Sequence, residues 1–156
     1  MCLCFLLRRL PEGRAQVLPG LKKQGLGQGR LVGLGGHVEP GESPRAAMRE
    51  VLEESGVPVN PADLTEMGQS IFRFPARPSW NQSVTVFTAK RWQGEPSESD
   101  EIAPQWFEIN RLPFERMWDD ARSWLPHLLG GRRLSAEIVC ADNNQTVNRA
   151  ELHLPE

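Results

Sequence analysis

The chain has 156 residues, of which 39% are hydrophobic, with 18 basic and 20 acidic side chains. This length supports one domain with a core of its own, and the composition excludes a disordered or fibrous protein. The net charge of −2 argues against a protein that bulk charge holds on nucleic acid or on a membrane. Three sparse cysteines without zinc-type spacing indicate a reducing compartment. We therefore expect a cytoplasmic protein whose partners include neither a membrane nor a nucleic acid.

A hairpin is the first predicted structure. Residues 2–9 and 15–22 have strand character and flank a turn at Pro11-Glu12-Gly13. Pro19 places part of the second strand at a sheet edge or a bulge, because proline donates no backbone hydrogen bond. The glycine-rich stretch that follows, residues 25–42, is interrupted too often to predict a regular element.

The clearest helix is predicted over residues 44–55. Ser43 is a suitable N-cap, Pro44 suits the first helical position, and Gly56 is typical of the residue that follows a helix. Apolar residues recur at helical spacing along this segment, so one face of the helix is expected to be buried.

Strands dominate the second half of the chain. An acidic loop is predicted over residues 94–104, and a short turn leading into a second helix over residues 114–129. Strands that outnumber inserted helices, with no repeat and no linker, predict an α+β fold in one domain, residues 1–156. The further predicted strands lie at 64–74, 83–92, 105–109, 134–140 and 146–152, the last two as a closing hairpin.

Three carboxylates lie on one side of the first predicted helix. Glu50, Glu53 and Glu54 are spaced i, i+3 and i+4, where like charges repel, and the last turn of a helix disfavours anions. A bound cation would compensate both effects, and an oxygen-only donor set favours Mg²⁺ or Mn²⁺ over zinc. A solvated acidic face is the alternative. The adjacent glycine turn, residues 33–36, favours the metal because its backbone can approach phosphates.

Residues 36–57, GHVEPGESPRAAMREVLEESGV, resemble the Nudix box. That pattern is a glycine and a glutamate separated by five residues, then Arg-Glu-aliphatic-any-Glu-Glu-any-Gly-aliphatic. Gly36 and Glu42 match the first spacing, and residues 49–57 match the second part at every defined position. Six residues separate Glu42 from Arg49, where the family has seven. In the family this glutamate braces the loop and the arginine, so the shorter spacing makes that role of Glu42 an open question.

The resemblance to the Nudix family implies an α/β/α sandwich around a mixed central sheet. The implied reaction is hydrolysis of a nucleoside diphosphate that is linked to another group. Arg49 is expected among the catalytic residues, and either Glu53 or Glu54 would orient or deprotonate the attacking water. The metal, Mg²⁺ with Mn²⁺ as an alternative, is expected on four positions of the box: Gly36, Glu50, Glu53 and Glu54.

Similarity extends beyond the box to MutT-like family members that hydrolyse oxidised purine nucleoside triphosphates to the monophosphate and pyrophosphate. The segment Glu98-Ser99-Asp100-Glu101 resembles one whose last glutamate reaches the metal, so Glu101 is a further expected ligand. Without the resemblance, this segment is typical of a solvated surface loop.

The purine pocket implied by the resemblance contains Trp118, Asp119 and Asp120, with the indole stacked on the base. In the family branch the two acids follow the tryptophan after one intervening residue. An ungapped alignment therefore matches only Asp120 and leaves Ala121 at the second position. Val32 stands where the branch has an asparagine, and a valine side chain neither donates nor accepts a hydrogen bond.

Two aromatic residues and a lysine complete the implied pocket. Phe72 and Phe74 match pocket positions, although their alternation along a predicted strand favours a place in the core. Lys23 lies beside the glycine-rich stretch and is expected to approach the nucleotide, with a solvated surface lysine as the alternative.

The first hypothesis is a monomeric, Mg²⁺-dependent Nudix hydrolase of nucleoside triphosphates that removes oxidised purine nucleotides such as 8-oxo-dGTP. A second keeps the chemistry but changes the substrate to undamaged nucleotides or another nucleoside diphosphate-linked compound, because of Val32 and Ala121. A third is a Nudix-like domain that senses nucleotide without turning it over. The intact set of glutamates argues against this third hypothesis.

Overall fold

The computed structural model describes residues 1–25 and 27–155. The helices are α1 (Pro44–Glu54) and α2 (Ala121–Leu129), with 3₁₀ turns at Pro61–Asp63, Pro78–Trp80, Ile109–Arg111 and Phe114–Arg116. The strands are β1 (Cys2–Arg9), β2 (Ala15–Leu18), β3 (Gly20–Lys22), β4 (Leu31–Val32), β5 (Leu34–Gly36), β6 (Leu64–Arg73), β7 (Gln82–Ala89), β8 (Ile102–Pro104), β9 (Phe107–Glu108), β10 (Leu134–Cys140) and β11 (Val147–His153). Within residues 1–25 and 27–155, no helix is long and apolar enough to cross a membrane.

Most of the strands form one mixed sheet in the order β11-β10-β6-β7-β1-β2-β9, and β5 pairs with the first residues of β1. β1 runs parallel to β7 and β6 runs parallel to β10, whereas the neighbouring pairs are antiparallel. A smaller sheet has the order β4-β3-β8.

The two helices cover opposite faces of the mixed sheet. Successive residues of β1 point to opposite faces: Cys4 and Leu6 pack in the cluster that contains the buried residues of α1, whereas Phe5 packs with those of α2. On the α2 side, Trp124 contacts Phe5 with ring centroids 6.2 Å apart. The α+β sandwich around a mixed sheet is therefore confirmed.

Predicted and observed elements differ mainly where strands are short. The glycine-rich stretch was expected to be irregular, and this is wrong, because β4 and β5 lie within it. Both strands exist through pairing with another strand: β4 pairs with the preceding strand β3, and β5 pairs with the part of β1 that β2 leaves free, about 30 residues earlier. The predicted acidic loop likewise ends in β8, which pairs with β3.

Pro19 divides the second predicted strand. β2 before it belongs to the mixed sheet, and β3 after it belongs to the smaller sheet. A residue without a backbone N–H cannot continue a ladder, so the chain changes sheet there. The change carries Lys22 and its neighbours away from the mixed sheet and over the site described below.

The helix predicted over 44–55 is confirmed, with its end one residue earlier at Glu54. The Ser43 side chain accepts a hydrogen bond from the Ala46 N–H at 3.1 Å, as an N-cap does. Arg45 in the first turn donates from Nη1 to the Leu64 carbonyl oxygen at 2.6 Å and so ties α1 to the start of β6.

Gly68 permits the close approach of β6 to β10. A Cβ built there would lie 1.7 Å from the Leu134 carbonyl oxygen, and the φ of +153° disfavours other residues. We expect Gly68→Ala to lower the free energy of unfolding by about 3 kcal/mol or more in urea denaturation. The matched control is Gly13→Ala, which has a φ of +98° but nothing within 4 Å of the added Cβ. Its expected loss is about 1–2 kcal/mol, and equal losses for the two variants would contradict the role of close approach.

Candidate active site

A cavity of about 1080 Å³ opens between α1, the smaller sheet and the start of α2. The part that α1 and the loops before α1 and β8 line, here called the acidic end, contains Glu42, Glu50, Glu54 and Glu101. The part that β6 and the turn before α2 line is mostly apolar and aromatic and contains Trp118. A ligand that fills both parts needs two kinds of group. Beside the glutamates it needs an anionic group, which a cation can join to the carboxylates, and beside Trp118 it needs a planar apolar group.

The acidic end depends on how closely α1 approaches β5. A Cβ built on Gly36 would lie 2.6 Å from Cγ2 of Val51, so glycine at this position allows the helix to pack against the strand. This packing turns Glu50 and Glu54 toward the cavity. Glu53 and Arg49 are exposed on α1 and lie outside the cavity lining.

Negative charge accumulates at this end, toward the last turn of α1. The charge of Glu42 raises the pKa of Glu50 above its usual range, and Glu54 and Glu53 add to the effect. No basic residue lies in the last turn of α1. A divalent cation would relieve this repulsion, and carboxylate oxygens are the donors that Mg²⁺ and Mn²⁺ prefer. The residue types therefore fit such a metal.

The carboxylates are near one another but are not gathered around one point. Among residues 1–25 and 27–155, no three acidic, histidine or cysteine side chains form a group that could hold a metal as they stand. Glu50, Glu53 and Glu54 are exposed, so their side chains can rotate without displacing the core. We expect the carboxylates to turn inward when a cation offsets their repulsion.

Glu101 brings the second acidic segment of the chain to the same cavity. Its carbonyl oxygen accepts a hydrogen bond from the Lys23 N–H at 2.9 Å, and its own N–H donates to Ser99 Oγ at 3.2 Å. These bonds hold the loop before β8 against the end of β3. The structure thus brings Glu50, Glu54 and Glu101 to one cavity from two distant parts of the sequence.

The two adjacent lysines point in different directions. Lys22 lines the cavity, whereas Lys23 lies outside its lining and pairs with Glu98 at 2.7 Å. Sequence reasoning singled out Lys23 and missed Lys22. The alternation of side chains along a strand separates such neighbours, but only the position of β3 tells which one faces the cavity.

At the inner end, Phe72, Phe74 and Trp118 line the cavity. Phe74 is 4% exposed and packs edge to face on Trp80, with ring centroids 5.7 Å apart, so it belongs to both the core and the cavity wall. The predicted place of Phe74 in the core is therefore confirmed, and its predicted contact with a nucleotide stays a prediction. Phe72 is partly buried and packs against the same cluster.

The two acids that follow Trp118 have different surroundings. Asp120 is buried, lines the cavity and accepts a hydrogen bond from Trp124 Nε1 at 2.6 Å. Asp119 lies outside the lining and accepts a hydrogen bond from the Val147 N–H at 2.8 Å. Asp120 therefore faces the cavity, whereas Asp119 ties the turn to the start of β11.

Comparisons with known proteins decide the family. A model of the NUDIX domain matches residues 8–128. The chain belongs to the Nudix family. It is 44% identical over 119 residues to an oxidized purine nucleoside triphosphate hydrolase from Danio rerio, which covers 76% of this chain and 74% of the relative. The protein of the same name from Mus musculus is 38% identical over 130 residues, or 83% of this chain and 81% of the relative.

The Nudix fold is also found among solved structures. A mutator MutT protein from Bacillus halodurans superposes with a TM-score of 0.74, covering 97% of this chain and 95% of its own, at 20% identity. The family assignment and the expected enzyme class, a hydrolase of acid anhydrides, are confirmed. Nudix hydrolases generally require divalent metal ions.

The shortened spacing within the Nudix box leaves the glutamates of α1 beside the cavity. Glu42 stays close enough to Glu50 to perturb its pKa upward, and Glu42 Oε1 accepts a hydrogen bond from the Glu39 N–H at 3.2 Å. In the described part of the chain no ion pair joins Glu42 to Arg49. Glu42 thus braces its own loop.

Several cavity residues were not found from the sequence. Gln82, Cys140 and Gln145 line the cavity, but they lie in β7, in β10 and in the loop before β11, far apart in sequence. Their residue types carry no motif. The one available signal was that side chains alternate between the two faces of β7 and β10. This alternation does not tell which face borders the cavity.

Asp120 makes stability depend on pH in a specific direction. Burial raises the pKa of its carboxyl, against the opposing effect of the Trp124 hydrogen bond. A carboxyl whose pKa is higher in the folded state than in the unfolded state stabilises the fold at pH values below its unfolded-state pKa. This contribution is lost as the pH rises through its folded-state pKa. We expect Asp120→Asn to raise the melting temperature at neutral pH, with the gain disappearing at about pH 3.5.

The matched control for this variant is Asp119→Asn. The Asp119 carboxylate is partly exposed and bonds a backbone N–H, so its neutralisation is expected to cost about 1 kcal/mol at neutral pH. Thermal unfolding of both variants across pH checks the contrast in sign. A loss of stability in Asp120→Asn that is the same at neutral and acidic pH would contradict the buried-carboxyl argument.

Proposed function

We propose that this Nudix protein hydrolyses nucleoside triphosphates to the monophosphate and pyrophosphate with Mg²⁺, or alternatively Mn²⁺, and acts on oxidised purine nucleotides such as 8-oxo-dGTP. The observation that carries this proposal is a single cavity that is lined both by the carboxylates of α1 and of the loop before β8 and by Trp118. The names of the relatives from Danio rerio and Mus musculus support the substrate class.

The metal-binding residues of the proposal come from β5, α1 and the loop before β8. They are the Gly36 carbonyl oxygen and the carboxylates of Glu50, Glu53, Glu54 and Glu101. When bound, the metal supplies positive charge that neutralises the polyphosphate and lowers the pKa of a water. Turning the exposed Glu53 side chain inward is part of this proposal.

In the reaction, a water oxygen bonds to one of the two phosphorus atoms joined by the α,β-bridging oxygen, and the bond from that phosphorus to the bridging oxygen breaks. The bridging oxygen leaves with the electron pair on the other product, so that the monophosphate and pyrophosphate separate. Glu53 or Glu54 accepts the proton of the water as the general base. Lys22 on the cavity wall, and Lys23 beside it, offset negative charge on the phosphates. Arg49 supports the glutamates from the outer side of α1.

At the other end, the base lies against the Trp118 indole, with Phe72 and Phe74 on the wall. Asp120 hydrogen-bonds the base edge. Asp119 contributes indirectly by fixing the turn, since its carboxylate is engaged by Val147.

Val32 on the cavity wall favours a second candidate, hydrolysis of undamaged nucleotides or of another nucleoside diphosphate-linked substrate. Its side chain offers no hydrogen bond to a base edge, and Ala121 offers none either. The test compares kcat/KM for 8-oxo-dGTP and dGTP. A ratio of about 10 or more supports the oxidised-purine substrate, whereas a ratio near one moves the assignment to the second candidate.

A nucleotide sensor without turnover is the third candidate. It would show thermal stabilisation by nucleotide and metal with no product. We also propose that residues 1–156 act as one Nudix domain, monomeric and cytoplasmic, whose ligand is a nucleotide and not a nucleic acid. Sedimentation of the purified protein tests the monomer.

A further inference from the structure

The Trp118 indole is covered on one face by an arginine. The guanidinium carbon of Arg30 lies 4.4 Å from the ring centroid. Arg30 immediately precedes β4, whereas Trp118 precedes α2, so the contact joins two distant parts of the chain. A cation over an indole face is attracted by the ring electrons, and the planar guanidinium also stacks on it.

Arg30 is itself held in place. Its Nη1 donates to the Met117 carbonyl oxygen at 3.1 Å, in the residue just before Trp118. Its backbone N–H donates to the Gly27 carbonyl oxygen at 2.9 Å, and its carbonyl oxygen accepts from the Lys22 N–H at 2.9 Å. The guanidinium is therefore fixed to the turn that carries Trp118, and the Arg30 backbone is fixed to the strand that carries Lys22.

The same hairpin borders the indole at a second place. A Cβ built on Gly27 would lie 3.2 Å from Trp118 Nε1 and 3.3 Å from its Cζ2. With Arg30 over the ring and Gly27 near this edge, Trp118 has little freedom to rotate. The charge of Arg30 also reaches Asp120, where it opposes the upward effect of burial on the pKa of that carboxyl.

We propose that Arg30 is a positioning residue for base recognition: its guanidinium holds the Trp118 indole in the orientation that presents its open side to the cavity. The inference rests on the proposed function, in which a base lies against Trp118. Arg30 then links base binding at Trp118 with the Lys22 end of the cavity, because one short hairpin carries both residues.

The test uses the 156-residue chain with Arg30→Met and Arg30→Lys. The matched controls are Arg8→Met and Arg8→Lys. Arg8 lies 3.9 Å from the Trp106 ring centroid, also as an arginine–tryptophan stack, and both residues lie outside the cavity lining. KM and kcat are measured for 8-oxo-dGTP and dCTP, and the Kd of a non-hydrolysable purine triphosphate is measured by calorimetry.

We expect Arg30→Met to raise KM and Kd for the purine about tenfold, with kcat within about twofold and a smaller effect on dCTP. Arg30→Lys keeps the charge but not the planar contact, and is expected to restore less than half of the loss in binding free energy. The Arg8 variants are expected to leave these constants within about twofold of the wild type.

Unchanged purine binding in Arg30→Met overturns the inference, as does full recovery in Arg30→Lys, which would show that charge alone matters. Circular dichroism verifies folding, and Arg30→Lys keeps the test available if Arg30→Met does not fold. If the wild type binds the nucleotide analogue but hydrolyses nothing, the proposed function fails, while the calorimetric comparison still decides the role of Arg30.

Discussion

Replacing Glu53 and Glu54 together by glutamine is expected to lower kcat by about 1000-fold or more. The change removes two proposed metal ligands and both candidates for the general base, and each function contributes several kcal/mol to such reactions. The measurement is pyrophosphate release at saturating nucleotide and Mg²⁺. Single Glu53→Gln and Glu54→Gln variants then distinguish the base from the ligand.

The same double variant is expected to be more stable than the wild type without metal. Both carboxylates lie in the last turn of α1, which contains no basic residue, so they oppose the helix dipole and repel Glu50. Their neutralisation is expected to raise the free energy of unfolding by about 0.5–1 kcal/mol. Mg²⁺ should raise the melting temperature of the wild type and have a much smaller effect on the variant.

The matched control is Glu137→Gln with Glu151→Gln. These two carboxylates lie on neighbouring strands and pair with Arg149 at the surface, at 4.0 and 3.6 Å. Their loss is expected to leave kcat unchanged and to lower stability by less than about 1 kcal/mol. Two results would contradict the assignment of Glu53 and Glu54 to the active site. One is activity that survives in Glu53→Gln/Glu54→Gln, and the other is a loss of stability in that variant equal to the loss in the control.

Trp118→Ala is expected to lower kcat/KM for 8-oxo-dGTP by about 10- to 100-fold, mainly through KM. The indole is the proposed platform for the base, and stacking on an aromatic side chain contributes about 1–3 kcal/mol per base. Trp118→Phe keeps a ring and is expected to retain most of the affinity. Steady-state kinetics of both variants check this order.

The control for Trp118 is Trp92→Ala. Trp92 stacks on Trp106 with ring centroids 5.9 Å apart, and neither residue lines the cavity. Its loss is expected to reduce stability without changing KM. If Trp92→Ala and Trp118→Ala raise KM equally, the effect is general loosening of the fold and Trp118 has no special contact with the base.

The acidic face of α1 could be predicted from the sequence because its causes are local. The Ser43 cap sets where the helix begins, and helical periodicity then sets which glutamates share a side. β4 and β5 could not be predicted, because strands of two or three residues exist only through pairing with β3 and β1. Pairing of that kind depends on the whole topology and leaves no local pattern.

The base end of the site was predictable only in part. The sequence offers two adjacent acids, and nothing local says that Asp120 turns inward to Trp124 while Asp119 turns to Val147. That choice follows from where α2 begins relative to β11. The pair Lys22 and Lys23 poses the same problem, since the orientation of β3 relative to the mixed sheet decides which lysine faces the cavity.

The most direct test of the central claim is the product analysis of 8-oxo-dGTP incubated with the full chain and Mg²⁺, with and without a chelator. We expect the monophosphate and pyrophosphate in equal amounts, and no product after chelation or with Glu53→Gln/Glu54→Gln. Release of orthophosphate with a diphosphate, or turnover that persists in the chelator, would contradict a metal-dependent pyrophosphohydrolase built on these glutamates.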